Sequence, residues 1–164
     1  MLDEEYMEMC LAEARAAWDE EEVPVGALVA DGSGAVIARA HNATRSRIDP
    51  TAHAEMLVIR EASLRLGNYR LTGCTLFVTM EPCAMCAGAI VEARFERLVF
   101  GCHDVKRGAF GSVIDVNTLP LNHRVKVSGG ILENKSADLL KQFFTLRRGT
   151  EVAITGPTRN RLYV

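Results

Sequence analysis

Two cysteines three positions apart are the first residues in the sequence with an evident chemistry. Cys83 and Cys86 stand at the predicted start of a helix, where both sulfur atoms can face one metal ion, and the pattern suits zinc. Pro82 is expected at the first helical position, so the free N–H groups of the helix would favour the thiolate form of the cysteines. A thioredoxin-like redox pair and two buried structural cysteines remain alternative interpretations.

A histidine and a glutamate two residues apart strengthen the metal interpretation. His53 also begins a predicted helix, and His53, Cys83 and Cys86 together would leave one position of a tetrahedral zinc ion open, as in catalytic sites. Zinc lowers the pKa of its bound water towards about 7. Glu55 is then the expected catalytic residue, because its carboxylate could carry a proton from that water to the attacked ring and to the departing amine.

The combined pattern of His-x-Glu and Pro-Cys-x-x-Cys is the signature of zinc-dependent nucleobase deaminases. Each residue by itself has another interpretation, since a lone His53 could be exposed and a lone Glu55 could belong to a solvated helix face. The set as a whole predicts hydrolytic deamination. It does not select the base.

Length, composition and charge limit the remaining possibilities. A chain of 164 residues with 48% hydrophobic and 24% charged residues is typical of one globular domain. The odd number of five cysteines disfavours a disulfide framework. A net charge of -2 disfavours a broad nucleic-acid surface but leaves room for a small basic footprint. With no long apolar run and no basic leader at the N-terminus, we expect a cytoplasmic protein without membrane contact.

The spacing of apolar residues predicts the elements that must carry these side chains. In order, we expect a helix over 1–20, a hairpin of strands 25–30 and 35–40, a helix from Asp49-Pro50 to Gly67, a strand over 75–79, a helix over 84–91, a strand over 97–100, a loop over 102–123, a strand over 124–127, and a helix over 133–148 capped by Gly149. This order predicts a three-layer α/β/α sandwich around a mixed sheet of about five strands. Residues 1–150 would form the zinc-dependent deaminase domain, followed by a C-terminal tail over 151–164.

Beyond the metal motifs, almost the whole chain resembles the bacterial tRNA-specific adenosine deaminases. The matching segments are 18–19, 23–27, 42, 49–55, 81–89, 104, 106, 108–109, 111–112, 122–123, 143–144 and 148. The resemblance implies a cytidine-deaminase-like fold, a homodimer and one zinc ion per subunit, with no organic cofactor. The implied reaction converts the wobble adenosine of a tRNA anticodon, in arginine tRNA with an ACG anticodon, to inosine. In that family the target base is turned out into the zinc pocket.

The resemblance also implies roles for individual positions. Asn42 is expected to contact the flipped nucleoside, and Ala54 to lend its backbone beside the metal. Four further positions are expected to contact the anticodon stem-loop, namely Asp104, Lys106, Phe144 and Arg148. Structural interpretations without a role in binding are also possible: Asn42 could be a turn residue, and Asp104 and Lys106 could be ordinary exposed loop charges. Because adjacent residues diverge by about 100° on a helix, at least one of Phe143 and Phe144 is expected in the core.

Two departures from the family pattern bear on these expectations. Cys102 and His103 are potential metal ligands just before Asp104, but a fourth protein ligand would close the catalytic position, so we expect no coordination from them. The tail carries Arg159 and Arg161 but lacks a lysine-rich ending, which reduces the phosphate attraction available there.

Two other functions remain open at this stage. One is deamination of a free nucleobase such as guanine or cytosine, which would use the same metal motif. The other is a non-catalytic zinc module that binds RNA or a protein, which would have no need of Glu55 beside an open coordination position.

Overall fold

The computed structural model describes residues 1–154, with side chains as far as Gly149, and arranges them around a five-stranded sheet. No helix in this described part is long and apolar enough to cross a membrane. The elements in chain order are α1 (Asp3–Asp19), β1 (Gly26–Ala30), β2 (Val36–His41), α2 (Ala54–Leu66), β3 (Thr75–Met80), α3 (Ala84–Glu92), β4 (Arg97–Cys102), a 3-10 helix (Val116–Thr118), β5 (Lys126–Ser128) and α4 (Glu133–Ile154).

The strands lie in the order β2-β1-β3-β4-β5 and form the predicted mixed sheet. β1 runs antiparallel to both β2 and β3, whereas β3, β4 and β5 run parallel to one another. α3 connects β3 to β4, which is the crossover connection that two parallel neighbours require. The predicted hairpin and crossover unit are both confirmed.

Helices cover both faces of the sheet, so that alternate side chains of each strand enter different cores. On β3, Leu76 and Val78 pack into the core that α2 and α3 share, while Phe77 packs against α1. The Tyr6 ring stacks on the Phe77 ring with the centroids 4.5 Å apart. α1 contacts α4, and α2 contacts α3. The three-layer α/β/α sandwich is therefore confirmed.

α2 begins later than predicted, whereas α3 begins at Ala84 as predicted but without Pro82 as its first residue. Asp49 does not cap α2, because its Oδ1 accepts hydrogen bonds from the backbone N–H and the hydroxyl of Thr51, at 2.8 and 2.7 Å, within a local turn. His53 is the N-cap of α2 instead. Pro82 likewise lies outside α3, since its carbonyl accepts a 2.9 Å hydrogen bond from the N–H of Ala109, and Cys83 is the N-cap.

The C-terminal part of the fold differs from the prediction in two places. β5 begins at Lys126 because the backbone of Val125 is hydrogen-bonded to the side chain of Asn117 instead of to a strand. Nδ2 of Asn117 donates to the carbonyl of Val125 at 2.9 Å, and Oδ1 accepts from its N–H at 3.1 Å. Gly149 does not cap α4, which continues to Ile154, since a glycine inside a helix costs only about 1 kcal/mol relative to alanine. α4 therefore passes the predicted domain boundary at residue 150, and the rest of the predicted tail, residues 155–164, lies outside the described residues.

Candidate active site

Three side chains from two helix termini converge as the sequence motifs predict. Nδ1 of His53 lies 3.7 Å from Sγ of Cys83 and 3.5 Å from Sγ of Cys86. Zn–S and Zn–N bonds of about 2.3 and 2.0 Å in a tetrahedron place a nitrogen and a sulfur about 3.5 Å apart. The donor set and its spacing therefore fit zinc, with Nδ1 as the histidine nitrogen that faces the two sulfurs.

The convergence follows from the way α2 and α3 pack side by side. His53 and Cys83 are the N-caps of these two helices, and Cys86 lies one turn into α3. Both cysteines are buried and His53 is partly buried. Because the N-terminal end of a helix carries partial positive charge, α3 favours a deprotonated sulfur at its N-cap, Cys83.

The protonation of the ligands reflects this closeness. A hydrogen bond from Cys86 stabilises the thiolate of Cys83 and lowers the pKa of Cys83 to about 3. The same hydrogen bond, together with burial, raises the pKa of Cys86. Contact with Cys83 raises the pKa of His53. Cys83 thus accepts hydrogen bonds from the other two side chains, and a cation between the three would replace the protons of those bonds.

Glu55 is a buried carboxyl group beside the three donors but outside their group. Among the described residues, the possible metal ligands that lie within 4.8 Å of one another are His53, Cys83 and Cys86. Glu55 is only 4% exposed, and burial raises the pKa of its carboxyl group. The arrangement thus combines three protein donors with a neighbouring acid that holds a proton more tightly than an exposed glutamate does.

Cys102 and His103 lie near the site in other surroundings. Cys102 is buried at the end of β4, where burial raises the pKa of its thiol to about 11. Nδ1 of His103 lies 3.6 Å from Oε2 of Glu81. That neither residue binds the metal stays a prediction.

A cavity of about 420 Å³ lies beside His53 and Cys83, and its volume is within the range of about 300–1,000 Å³ typical of small-molecule sites. The predicted site residues that line it are Asn42, His53, Glu55, Cys83, Asp104, Lys106 and Phe144. Three other predicted residues, Ala54, Cys86 and Arg148, do not line it. Sequence reasoning assigned no role to Thr44, Met80, Glu81, Arg107 or Leu140, which also line the cavity.

Asn42 reaches the metal motif through a backbone contact. Its Oδ1 accepts a 2.9 Å hydrogen bond from the N–H of Ala54, the first residue of α2. This bond fixes the carboxamide plane, and its Nδ2 has no hydrogen-bond partner among the residues the structure describes. Asn42 is therefore held with its donor group available at the cavity, whereas the N–H of Ala54 is already occupied.

The segment after β4 brings charges to the wall of the cavity. Oδ1 of Asp104 accepts hydrogen bonds from the backbone N–H groups of Lys106 and Arg107, at 3.0 and 3.1 Å. The resulting turn exposes both basic side chains at the cavity wall. Arg107 could have been found from its place beside Lys106 in a loop that follows a strand end.

The two adjacent phenylalanines of α4 have different environments, as expected. Phe143 is 4% exposed and packs edge-on against Trp18, with the ring centroids 5.2 Å apart. Phe144 is 44% exposed and lines the cavity. Arg148 is exposed one turn further along α4, on the same side of the helix as Phe144.

Two buried carboxylates, of which Glu81 lines the cavity, accept hydrogen bonds from segments that sequence reasoning did not connect to them. Glu22 is 1% exposed and accepts hydrogen bonds from the backbone N–H groups of Arg45 and Ser46, at 2.9 and 2.8 Å. Glu81 is 2% exposed and accepts four hydrogen bonds from the segment 104–112. For Glu81 the sequence signal was its position directly after an apolar strand, where a buried charge must find hydrogen-bond partners.

Comparison with known proteins places the chain in a family. A family model described as the cytidine and deoxycytidylate deaminase zinc-binding region matches residues 1–102. The tRNA-specific adenosine deaminase of Agrobacterium fabrum is 49% identical over 145 residues, covering 87% of this chain and 94% of that protein. The tRNA-specific adenosine deaminase of Bacillus subtilis is 46% identical over 143 residues, covering 87% of this chain and 88% of that protein.

Solved structures agree with this placement. A structure from studies of A-to-I editing by tRNA:A34 deaminases at the wobble position superposes with a TM-score of 0.81 at 47% identity, covering 83% of this chain and 99% of that chain. The guanine deaminase of Nitrosomonas europaea superposes with a TM-score of 0.73 at 26% identity, covering 87% and 84%. The chain therefore belongs to the cytidine and deoxycytidylate deaminase family and, within it, to the tRNA-specific adenosine deaminases.

Proposed function

We propose that this chain hydrolyses the wobble adenosine of a tRNA anticodon to inosine, with arginine tRNA bearing an ACG anticodon as the substrate. The observation that carries the chemistry is the buried carboxyl group of Glu55 beside three metal donors at the base of a cavity. The observation that carries the choice of base is the 46–49% identity to tRNA-specific adenosine deaminases over 87% of the chain.

His53, Cys83 and Cys86 would hold one zinc ion per subunit. When bound, zinc supplies a Lewis acid that lowers the pKa of water to about 7. Three protein donors are the number that catalytic zinc sites use, because they leave one position for water or substrate.

Glu55 moves the protons of the reaction. Hydrolysis adds the oxygen of water to C6 of adenine and releases the amino group as ammonia. Glu55 accepts one proton from the attacking water and delivers it to N1 of the ring, and then carries the second water proton to the departing amine. Burial raises the pKa of this carboxyl group, which brings its proton affinity closer to those of the groups it must exchange with.

Asn42 orients the flipped nucleoside. Its Oδ1 is committed to the N–H of Ala54, so the Nδ2 donors remain for an acceptor atom of the substrate. Ala54 contributes through its backbone, by holding Asn42 next to the metal donors.

The cavity rim binds the rest of the anticodon stem-loop. Phe144 offers a half-exposed ring on which an unstacked base can lie, and Arg148 offers a guanidinium group one turn away. Asp104 and Lys106 line the cavity, where they would contact neighbouring nucleotides. Recognition of a single-stranded loop by a few such groups suits a chain with a net charge of -2.

We also propose a homodimer that acts in the cytoplasm. Exposed apolar side chains lie on α3 and on the segment 113–121, including Met85, Val113, Ile114 and Leu121, and a second copy of the chain would cover them. Sedimentation at micromolar concentration tests the assembly. A monomer with full activity would remove the idea that both subunits shape the RNA site.

Deamination of a free base is the competing function, and the structural similarity to a guanine deaminase supports testing it. Purified protein is incubated with unmodified arginine tRNA (ACG), with the same tRNA carrying guanosine at position 34, and with free guanine and cytosine. We expect inosine, detected by mass spectrometry of the nucleosides, only from the first tRNA. Deamination of guanine or cytosine without inosine in the tRNA would show that the substrate assignment is wrong. Zinc retention without deamination of any of these substrates would favour a non-catalytic module.

A further inference from the structure

We propose that Glu81 is a positioning residue for the RNA substrate: it holds the segment 104–112 in the shape that binds the anticodon loop, without touching the reacting atoms. The proposal rests on the function proposed above and assigns part of the substrate affinity to a residue that follows β3 directly.

The carboxylate of Glu81 is fully committed to this segment. Oε2 accepts a hydrogen bond from the N–H of Asp104 at 3.0 Å and another from the hydroxyl of Ser112. Oε1 accepts from the N–H groups of Phe110 and Ser112, both at 3.1 Å. Since both oxygens are occupied, the group is not free to exchange protons with a substrate, which distinguishes it from Glu55.

The segment wraps closely around this carboxylate. A Cβ atom at position 108 would overlap the Glu81 carboxyl group, so the chain passes there only because residue 108 is glycine. Gly108 also pairs with Cys83 in an isolated antiparallel β-bridge of the backbone, and the N–H of Ala109 donates to the carbonyl of Pro82 at 2.9 Å. The segment is thereby attached to the same short stretch that carries a metal donor.

The part of the segment nearest the cavity depends on this attachment. Asp104 is held through its N–H by Glu81, and its own carboxylate in turn accepts from the N–H groups of Lys106 and Arg107. These three residues line the cavity. A chain of hydrogen bonds therefore leads from a buried carboxylate to the basic groups at the cavity wall.

Such pre-ordering affects binding more than chemistry. A loop that is already in its bound shape does not lose conformational entropy when RNA binds, so affinity is higher. If the segment loosens, the RNA must order it at the moment of binding. The KM for RNA then rises, while the reacting atoms meet the same Glu55 and the same metal donors once the substrate is in place.

Glu81→Gln tests this directly, because the amide keeps one acceptor oxygen and turns an NH₂ group towards N–H donors of the segment. For an anticodon stem-loop RNA we expect KM to rise by about tenfold to a hundredfold, the range for lost hydrogen bonds to a charged group. We expect kcat within about threefold of the wild type and an unchanged zinc content. In the zinc-loaded Glu81→Gln variant without RNA, amide hydrogen exchange over 104–112 should be faster than in the wild type under the same conditions.

Three further variants separate positioning from general damage. Ser112→Ala removes one hydroxyl donor but leaves the carboxylate and its backbone partners, so a smaller rise in KM is expected. Gly108→Ala disturbs the same cradle from the other side and should reproduce the rise in KM even if Glu81→Gln folds poorly. Glu96→Gln changes an exposed glutamate paired with Lys126 and should leave both constants unchanged.

The outcomes are distinct. A fall in kcat at unchanged KM would overturn the proposal by placing Glu81 in the chemistry, and loss of zinc would overturn it by placing Glu81 in the metal site. Unchanged hydrogen exchange over 104–112 would also overturn it. If the wild-type protein forms no inosine in tRNA, the proposed function fails, but the exchange measurement still decides whether Glu81 orders the segment.

Discussion

Oδ1 of Asn42 lies 2.9 Å from the backbone nitrogen of Ala54, and this hydrogen bond ties the residue after β2 to the first turn of α2. His53 precedes Ala54 and Glu55 follows it, so the same bond holds the Asn42 amide next to the proposed metal donor and the proposed proton carrier. The two functions of Asn42, fixing the helix start and offering Nδ2 to the cavity, can be separated by substitution.

Asn42→Asp is expected to keep the bond to Ala54, since a carboxylate oxygen accepts as well as an amide oxygen, but to remove the donors that face the cavity. We expect kcat/KM for an anticodon stem-loop to fall by about tenfold to a hundredfold, with thermal stability near the wild type. Asn42→Ala should also lower Tm, because the Ala54 N–H loses its partner. Equal kcat/KM for Asn42→Asp and wild type would show that Nδ2 does not contact the substrate.

Glu55→Gln is expected to lower kcat by about 10²- to 10⁴-fold, the range for loss of a general acid–base group. The fold and the zinc content should persist, because the three donors are untouched. Steady-state kinetics combined with metal analysis checks both expectations. If the variant loses zinc, Glu55 is a metal ligand and the proton-carrier assignment is wrong.

Substitution of single donors tests the metal centre. His53→Ala and Cys86→Ala are each expected to reduce zinc well below one ion per chain and to abolish inosine formation, since two remaining donors bind the ion weakly. Elemental analysis after dialysis gives the stoichiometry. The matched controls are Cys102→Ala and His103→Ala, which change nearby potential ligands and should retain one zinc per chain; loss of zinc in either would add a donor to the site.

The two phenylalanines of α4 provide a matched pair for stability and binding. Phe143→Ala removes a buried ring and should lower the free energy of unfolding by about 3–5 kcal/mol. Phe144→Ala should cost about 1 kcal/mol or less, yet weaken RNA binding by about fivefold to 150-fold through lost base stacking. Denaturant unfolding and RNA titration measure the two effects. A Phe144→Ala protein that binds RNA like the wild type would place the anticodon loop elsewhere.

The metal motif could be predicted from sequence because its residue types and spacings are specific and its helix starts are local. His53, Cys83 and Cys86 meet for that reason. The exact start of α2 could not be predicted, because Asp49 forms its own turn with Thr51 and α2 begins only at Ala54. Propensity does not rank such close alternatives.

The long-range parts of the site were out of reach for a different reason. The hydrogen-bond donors to Glu81 lie 23 to 31 residues further along the chain, and no local pattern encodes that pairing. The later start of β5 depends in the same way on the Asn117 side chain, eight residues from Val125. Periodicity predicts elements, whereas contacts between loops become visible only after the sheet has brought them together.

The measurement that most directly tests the central claim is isotope labelling of arginine tRNA (ACG) by this protein in ¹⁸O-labelled water. Nuclease fragments are then analysed by mass spectrometry. Hydrolysis with Glu55 as proton carrier predicts inosine at position 34 that carries the heavy oxygen, and predicts that Glu55→Gln forms it about 10²- to 10⁴-fold more slowly. An unchanged adenosine at position 34, or inosine there without the label, would contradict the account.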